Sequence, residues 1–159
     1  MPEMISPHFS LEELTITQQV DANGVILPNI PNSEQLFFLN KLAFTILEPI
    51  RTLIDCPIHV NSAFRCEAIE IKVSGKAYGQ HMKGQAADIV PFNHHLVLKD
   101  VYEKIMTSVI PYDQLLYEYG AWIHVSCAPA NTEPRRMPLM IGSWTNNIWM
   151  PYDSKVVPA

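Results

Sequence analysis

The stretch Gly79-Gln80-His81-Met82-Lys83-Gly84-Gln85-Ala86-Ala87-Asp88-Ile89 constrains this chain more than any other. A histidine and an aspartate stand seven positions apart, with Gly84 and two alanines between them. Small residues there let the backbone turn back, so that both side chains can reach one point. Downstream, Trp122-Ile123-His124-Val125-Ser126 places a second histidine in a β-patterned run. Two imidazoles and one carboxylate are the donor set of an open catalytic zinc site, whose fourth position holds water. On spacing alone, a surface histidine and an unrelated strand-end aspartate is the commoner arrangement, so the rest of the chain has to decide.

Taken in order, Ser6-Pro7-His8-Phe9-Ser10-Leu11-Glu12-Glu13-Leu14 reads as an arm followed by a short helix, with Ser10 as N-cap and Glu13 three residues on. His8, beside a proline in that arm, reads as a surface or packing residue. A loop over 21–32 contains Asn23-Gly24, Pro28 and Pro31. Asn32 or Ser33 then caps a long helix to about Ile54, with Leu36, Leu39, Ala43, Ile46, Leu47, Ile50 and Leu53 at helical spacing. Pro49 is expected to kink or interrupt it. Phe37, Phe38 and Phe44 are expected in the core.

Pro57 to Phe64 alternates as a half-buried strand with His59 and Asn61 on its solvated face, and Arg65 follows at its end. A short helix, Glu67 to Ser74, leads to the loop that delivers His81. Ala86 to Pro91 is a second strand. Asn93 is expected to cap a helix from about His94 to Ser108, burying Leu96, Val97, Val101, Ile105 and Val109, with His94 and His95 on the surface. Asp113–Glu118 and Trp122–Cys127 form an antiparallel hairpin around Gly120, and Met137–Ile141 adds a last strand. The segment 142–159 is an apolar tail without strand or helix period, either wrapped over the domain or docked on a partner. A helix-first chain with short, mostly antiparallel strands is an α+β domain.

A length of 159 residues fits one domain, 1–141, followed by the tail 142–159. With 17 % charged and 48 % apolar residues the chain is globular. A formal net charge of −5, with no basic patch beyond the pair Arg135-Arg136, excludes a general nucleic-acid partner. Cys56, Cys66 and Cys127 are odd in number and lack Cys-x-x-Cys spacing, so they read as buried thiols in a reduced compartment rather than as a structural zinc site. Residues 1–17 carry three glutamates and neither a basic nor an apolar leader region, so no secretory signal is expected. No apolar run is long enough for a transmembrane segment. The expected location is cytoplasmic on synthesis.

Val60-Asn61-Ser62-Ala63-Phe64-Arg65, then Gly79-x-His81-x-x-Gly84-x-Ala86-x-Asp88-Ile89, then Trp122-x-His124-Val125-Ser126 resemble, in that order, one family. It is the zinc peptidases of peptidoglycan peptides: D-Ala-D-Ala carboxypeptidases and dipeptidases, and the L-alanyl-D-glutamate endopeptidases of phage lysins. Pro7 to Leu14 looks like the opening of the phage and prophage branch. The resemblance implies a hedgehog-like D-Ala-D-Ala peptidase fold, a small antiparallel sheet flanked by helices. It implies Zn²⁺ held by His81, Asp88 and His124, with Arg65 steadying the substrate carbonyl or the oxyanion. Without the resemblance, an ion pair of Arg65 with Glu67 or Glu70 is the simpler reading.

Two positions depart from that pattern. Gly79 stands where the family usually has serine, and Ala121 where many members have an acidic base three residues before the last histidine. Glu118 is the nearest candidate base, and hairpin register decides its face. A loop of Gly120-Ala121-Trp122 sets Glu118 opposite His124. A loop of Gly120-Ala121 sets Tyr117 there and turns Glu118 away. Water activation needs a carboxylate near the metal, so Glu118 is the expected base, with Asp113 as fallback. The expected function is hydrolysis of an amide in peptidoglycan stem peptides by a phage or prophage protein that reaches the wall through a lysis pore or in a virion. The alternative is a non-catalytic wall-binding or virion structural module on the same fold, associating through its tail.

Overall fold

The computed structural model of the chain describes residues 1–158. Ser10 caps α1 (Leu11–Thr15) as the sequence predicts, its hydroxyl accepting from the Glu13 backbone N–H at 3.1 Å. Asn32 caps α2 (Ser33–Leu42) in a reciprocal box with Gln35, which satisfies two donors that the first helical turn leaves free. Pro49 does not break the helix that follows. The chain widens first into a π turn, Ala43–Leu47, in which the Glu48 N–H reaches the Ala43 carbonyl five residues back. That looser turn relieves the clash a proline ring makes with the carbonyl four residues before it, and α3 (Glu48–Ile54) continues.

Leu39, Leu42, Ile46 and Ile50 are fully buried along this rod, each contributing roughly 1.5–3 kcal/mol of burial. Phe38 joins them, but Phe37 and Phe44 do not: they are 59 % and 55 % exposed. At about 100° per residue they point some 140–160° away from Leu39, so helical phase outweighs their hydrophobicity.

Strands β1 (Ile58–Ser62), β2 (Ala86–Pro91), β3 (Tyr112–Glu118), β4 (Trp122–Cys127), β5 (Met137–Ile141) and β6 (Met150–Pro151) form one sheet in the order β1-β2-β4-β3-β5-β6. All pairs are antiparallel except β3 with β5, which is parallel, so the sheet is mixed. Val60, Ile89, Ile123, Val125, Leu115 and Tyr117 face the helical rod and form the core. The alternate residues face the other way, as period-two geometry requires. Helix α4 (Glu67–Ser74) has the expected bounds. Helix α5 begins later than expected, at Leu98–Thr107, because the Asn93 side chain accepts from the His95 N–H in a local turn instead of capping a helix. Val109 lies beyond the helix end and is 96 % exposed rather than buried.

The tail is wrapped over the domain. Its β6 pairs with β5, Tyr152 stacks on Tyr102 at 4.4 Å between ring centroids, and Val157 is buried in the core. The three cysteines are free thiols, two of them buried. Among the described residues, no helix is long and apolar enough to cross a membrane.

Candidate metal centre

Two neighbouring strands and one tight turn bring the predicted residues together. Asp88 on β2 and His124 on β4 are direct cross-strand partners. His81 opens a 3-10 turn that closes on Gly84, whose φ of +70° suits glycine. That turn is tied down twice, by the Arg65 N–H donating to the His81 carbonyl and by Gln35 Nε2 donating to the Met82 carbonyl at 2.8 Å. Long-range contacts therefore hold His81 over the sheet face that bears Asp88 and His124.

Three atoms converge. His81 Nε2 lies 3.2 Å from His124 Nδ1 and 3.4 Å from Asp88 Oδ1, and His124 Nδ1 lies 2.9 Å from the same Oδ1. Donor atoms around tetrahedral zinc, at bonds of about 2.0–2.1 Å, stand roughly 3.3 Å apart, so the triangle has the right edges. Its proton inventory points the same way. His81 Nδ1 donates to the Ala63 carbonyl at 2.6 Å, which leaves Nε2 bare in a ring that burial keeps neutral. His124 Nε2 donates to Gln80 Oε1 at 3.1 Å, and the tautomer that carries its one proton there has its lone pair on Nδ1. Two lone pairs and a carboxylate oxygen then face one another, an arrangement that calls for a cation. Otherwise it must take up a proton: the imidazoles facing Asp88 hold its carboxyl far below the usual range, against burial that alone would raise it. Among the described residues this is the one His/Cys/Asp/Glu cluster of that kind, and it can hold a metal ion.

Arg65 is buried behind this triangle. It pairs with Asp88 Oδ2 at 3.2 Å and with Glu70 at 3.1 Å, so the Glu70 ion pair and a place at the centre hold together. Glu118 is on the metal-facing side, but through neither expected register. The hairpin loop is Tyr119-Gly120-Ala121, which sets Glu118 opposite Trp122 and Leu116 opposite His124. Tyr119 and Gly120 both have left-handed φ values, and the Ala121 N–H closes the turn on the Glu118 carbonyl at 2.9 Å, so Ala121 is left as an extra residue that shifts the register. Glu118 and His124 are thus diagonal neighbours on one face. Burial chiefly, with some help from the Asp88 charge and opposed by His124 and Arg65, lifts the Glu118 carboxyl to about 7. Asp113 is no base. It is 1 % exposed, and although burial pushes its pKa up, the Arg135 guanidinium and backbone N–H overcome this and hold it low.

His81, Asp88, His124, Arg65, Glu70, Gln80 and Glu118, but not Asp113 or Arg135, line or floor one open cleft of about 1020 Å³, flanked by α4 and by the exposed rings of Tyr78 and Trp149. A family model for Peptidase M15 matches residues 7–126, which contain every one of these groups except Arg135 and Trp149. The chain belongs to the peptidase M15 family. No curated protein matches it. As an M15 protein it has a metal-dependent peptidase family's fold and a centre able to hold a metal ion. Its departure at Gly79 has a structural counterpart: φ there is +152°, a backbone conformation that side-chain-bearing residues rarely adopt.

Sequence reasoning missed Gln80 and the role of Arg135, although the Arg65 pair with Glu70 was among its readings. Gln80 and Arg135 act through partners on distant segments, and no local spacing announces such a pairing.

Proposed function

We propose that this chain is a zinc-dependent peptidase that cleaves an amide bond in the peptide stems of peptidoglycan, L-Ala–D-Glu or D-Ala–D-Ala, in phage or prophage wall degradation. The observation that carries the reading is the convergence of three donor atoms, two imidazole nitrogens and a carboxylate oxygen, on the floor of a peptide-sized cleft, with a carboxylate of raised pKa on the same face. His81 Nε2, Asp88 Oδ1 and His124 Nδ1 are the atoms that would hold the metal. Zinc in such a site supplies a Lewis acid that acidifies a bound water and polarises a carbonyl.

The chain's own residues supply the rest. Glu118, ionised near neutral pH, accepts a proton from the attacking water and returns it to the leaving amine. A carboxylate with a pKa near 7 suits both halves of that transfer. Arg65, a permanent cation behind Asp88, stabilises the negative charge that develops on the carbonyl oxygen. The cleft walls orient the peptide, and the bound peptide displaces water from the cleft floor, which strengthens these charge interactions.

The second reading, a non-catalytic wall-binding or virion module, draws on Gly79 and Ala121 in place of the expected serine and acid. One experiment separates the two: zinc content of the purified chain, with mass-spectrometric product analysis of defined stem peptides. One equivalent of zinc and a released fragment, both lost in His81→Ala, support the peptidase. Tightly held zinc with no new amine from any stem peptide overturns it.

A further inference from the structure

From His124 a chain of hydrogen bonds leads out of the cleft and ends in a residue beyond the family match. His124 Nε2 donates to Gln80 Oε1 at 3.1 Å, and Gln80 Nε2 donates to Asp113 Oδ2 at 3.3 Å. Arg135 closes the chain on Asp113 with its backbone N–H at 3.0 Å, its Nε at 3.0 Å and its Nη2 at 2.5 Å. Asp113 is enclosed, whereas Arg135 is half exposed and lies outside residues 7–126. We propose that Arg135, Asp113 and Gln80 form a positioning relay that sets the tautomer of His124 and so makes its Nδ1 a metal ligand.

The argument turns on the ambiguity of a glutamine amide, which can present either an acceptor or a donor. If Gln80 turned its NH₂ towards His124, the neutral ring would have to accept there and carry its proton on Nδ1. That proton would point at Asp88 Oδ1, 2.9 Å away, and occupy the place of the metal. Asp113 forbids the flip. Its carboxylate accepts only, so Gln80 must face it with NH₂ and face His124 with oxygen. Arg135 keeps Asp113 ionised and in place, since five-donor guanidinium forks match a carboxylate. A charged surface residue is thereby coupled to the proton position on a buried ligand three hydrogen bonds away. Outer partners of this kind typically change metal affinity or activity by about 10–100-fold when removed.

The inference rests on the zinc reading above, and its test keeps the two apart. The full chain is prepared as wild type, Gln80→Leu, Gln80→Glu and Arg135→Ala. Two quantities are measured: the zinc Kd by competition with a chelator, and the His124 tautomer in the metal-free protein by long-range proton–nitrogen NMR. Wild type and Gln80→Glu are expected to keep the proton on Nε2, because glutamate preserves the acceptor. Gln80→Leu is expected to lose that preference and to weaken zinc binding by about 10–100-fold. Arg135→Ala, which touches no ligand, is expected to weaken it in the same direction. An unchanged tautomer and Kd in Gln80→Leu overturn the relay, and an unchanged Kd in Arg135→Ala removes its outermost member. Should Gln80→Leu fail to fold, loss of the Nε2 proton in Gln80→Glu overturns the proposal by itself, and its retention supports it. A wild type that takes up no zinc defeats the metal reading instead, while the tautomer comparison still decides the relay.

Discussion

Arg65 meets Asp88 through Oδ2, at 3.2 Å, while the other oxygen of the same carboxylate faces both imidazoles. The two oxygens are divided between a cation of the protein and the place for a metal. Arg65 also binds Glu70 at 3.1 Å, so one guanidinium keeps two buried carboxylates apart and oriented.

Arg65→Lys keeps the charge but cannot bridge both carboxylates in fixed geometry. Its zinc affinity should fall about tenfold, by loss of Asp88 orientation. Its kcat should fall about 10²–10³-fold, by loss of oxyanion support. Arg65→Ala should in addition destabilise the metal-free fold by roughly 3–5 kcal/mol, because it leaves buried carboxylates without their cation. Chelator competition, steady-state kinetics on a stem peptide and urea unfolding read the three effects separately.

Glu118→Gln should lower kcat about 10²–10⁴-fold with zinc content unchanged, since it removes the proton acceptor and no ligand. Wild-type activity should rise with pH along a limb at or below about 7, a bound cation drawing the carboxyl down from its metal-free position. The stability sign is opposite. A carboxyl whose folded pKa of about 7 exceeds its unfolded value of 4.5 binds more protons folded than unfolded between those limits. Metal-free wild type should therefore lose stability as pH rises through that window and level off above it. Glu118→Gln should lack that fall, so the variant gains on wild type at pH 8 and converges with it towards pH 4. Unfolding at a series of pH values checks this, and parallel curves for the two proteins would contradict it.

Strands β1 to β5, the α4 bounds and the convergence of His81, Asp88 and His124 were legible because each depends on local period or on motif order, whereas β6 lies in a tail without period. The Glu118 side was legible only in outcome. Its face followed from a three-residue loop set by left-handed Tyr119 and Gly120, and tyrosine carries no local signal for that conformation. The unbroken passage of the helix through Pro49 depends on a π turn, which hydrophobic spacing cannot separate from an α turn over five residues. Phe37 and Phe44 show composition misleading where phase decides. Gln80 escaped notice because its partners, Asp113 and His124, meet it only after the sheet has formed.

Removing metal should cost stability as well as activity. The bare donors at His81, Asp88 and His124 repel one another unless a cation or a proton sits among them, so metal binds the folded chain and not the unfolded one. At a free zinc concentration of 100 Kd the linkage amounts to about 2.7 kcal/mol, or roughly 5–10 °C in Tm for a domain of this size. The increment should shrink in acid, where protons compete with the metal for its ligands. A chelator titration followed by differential scanning calorimetry measures it, and a Tm indifferent to zinc would count against the centre. Magnesium should give no comparable shift, because it prefers oxygen ligands and octahedral geometry.

Gly84→Ala tests how the His81 turn is built. Gly84 has φ +70°, and a Cβ there would stand 2.5 Å from the Gln35 carbonyl oxygen and 3.2 Å from Leu39 Cγ, both in α2. The turn must therefore lift away from the helix, which strains its backbone and stretches the bond from Gln35 to the Met82 carbonyl. The expected loss is on the order of 2–4 kcal/mol in unfolding free energy, combining left-handed strain with overpacking. Zinc affinity should fall with it, because the Gly84 N–H closes the turn onto the His81 carbonyl. Gly75→Ala supplies the control. Gly75 has nearly the same φ, +74°, but no atom within 4 Å of the added Cβ, so only the conformational cost of about 1–2 kcal/mol applies and zinc binding should stay at wild-type strength. If both substitutions cost the same and leave the Kd alone, close packing of the turn on α2 does not position His81.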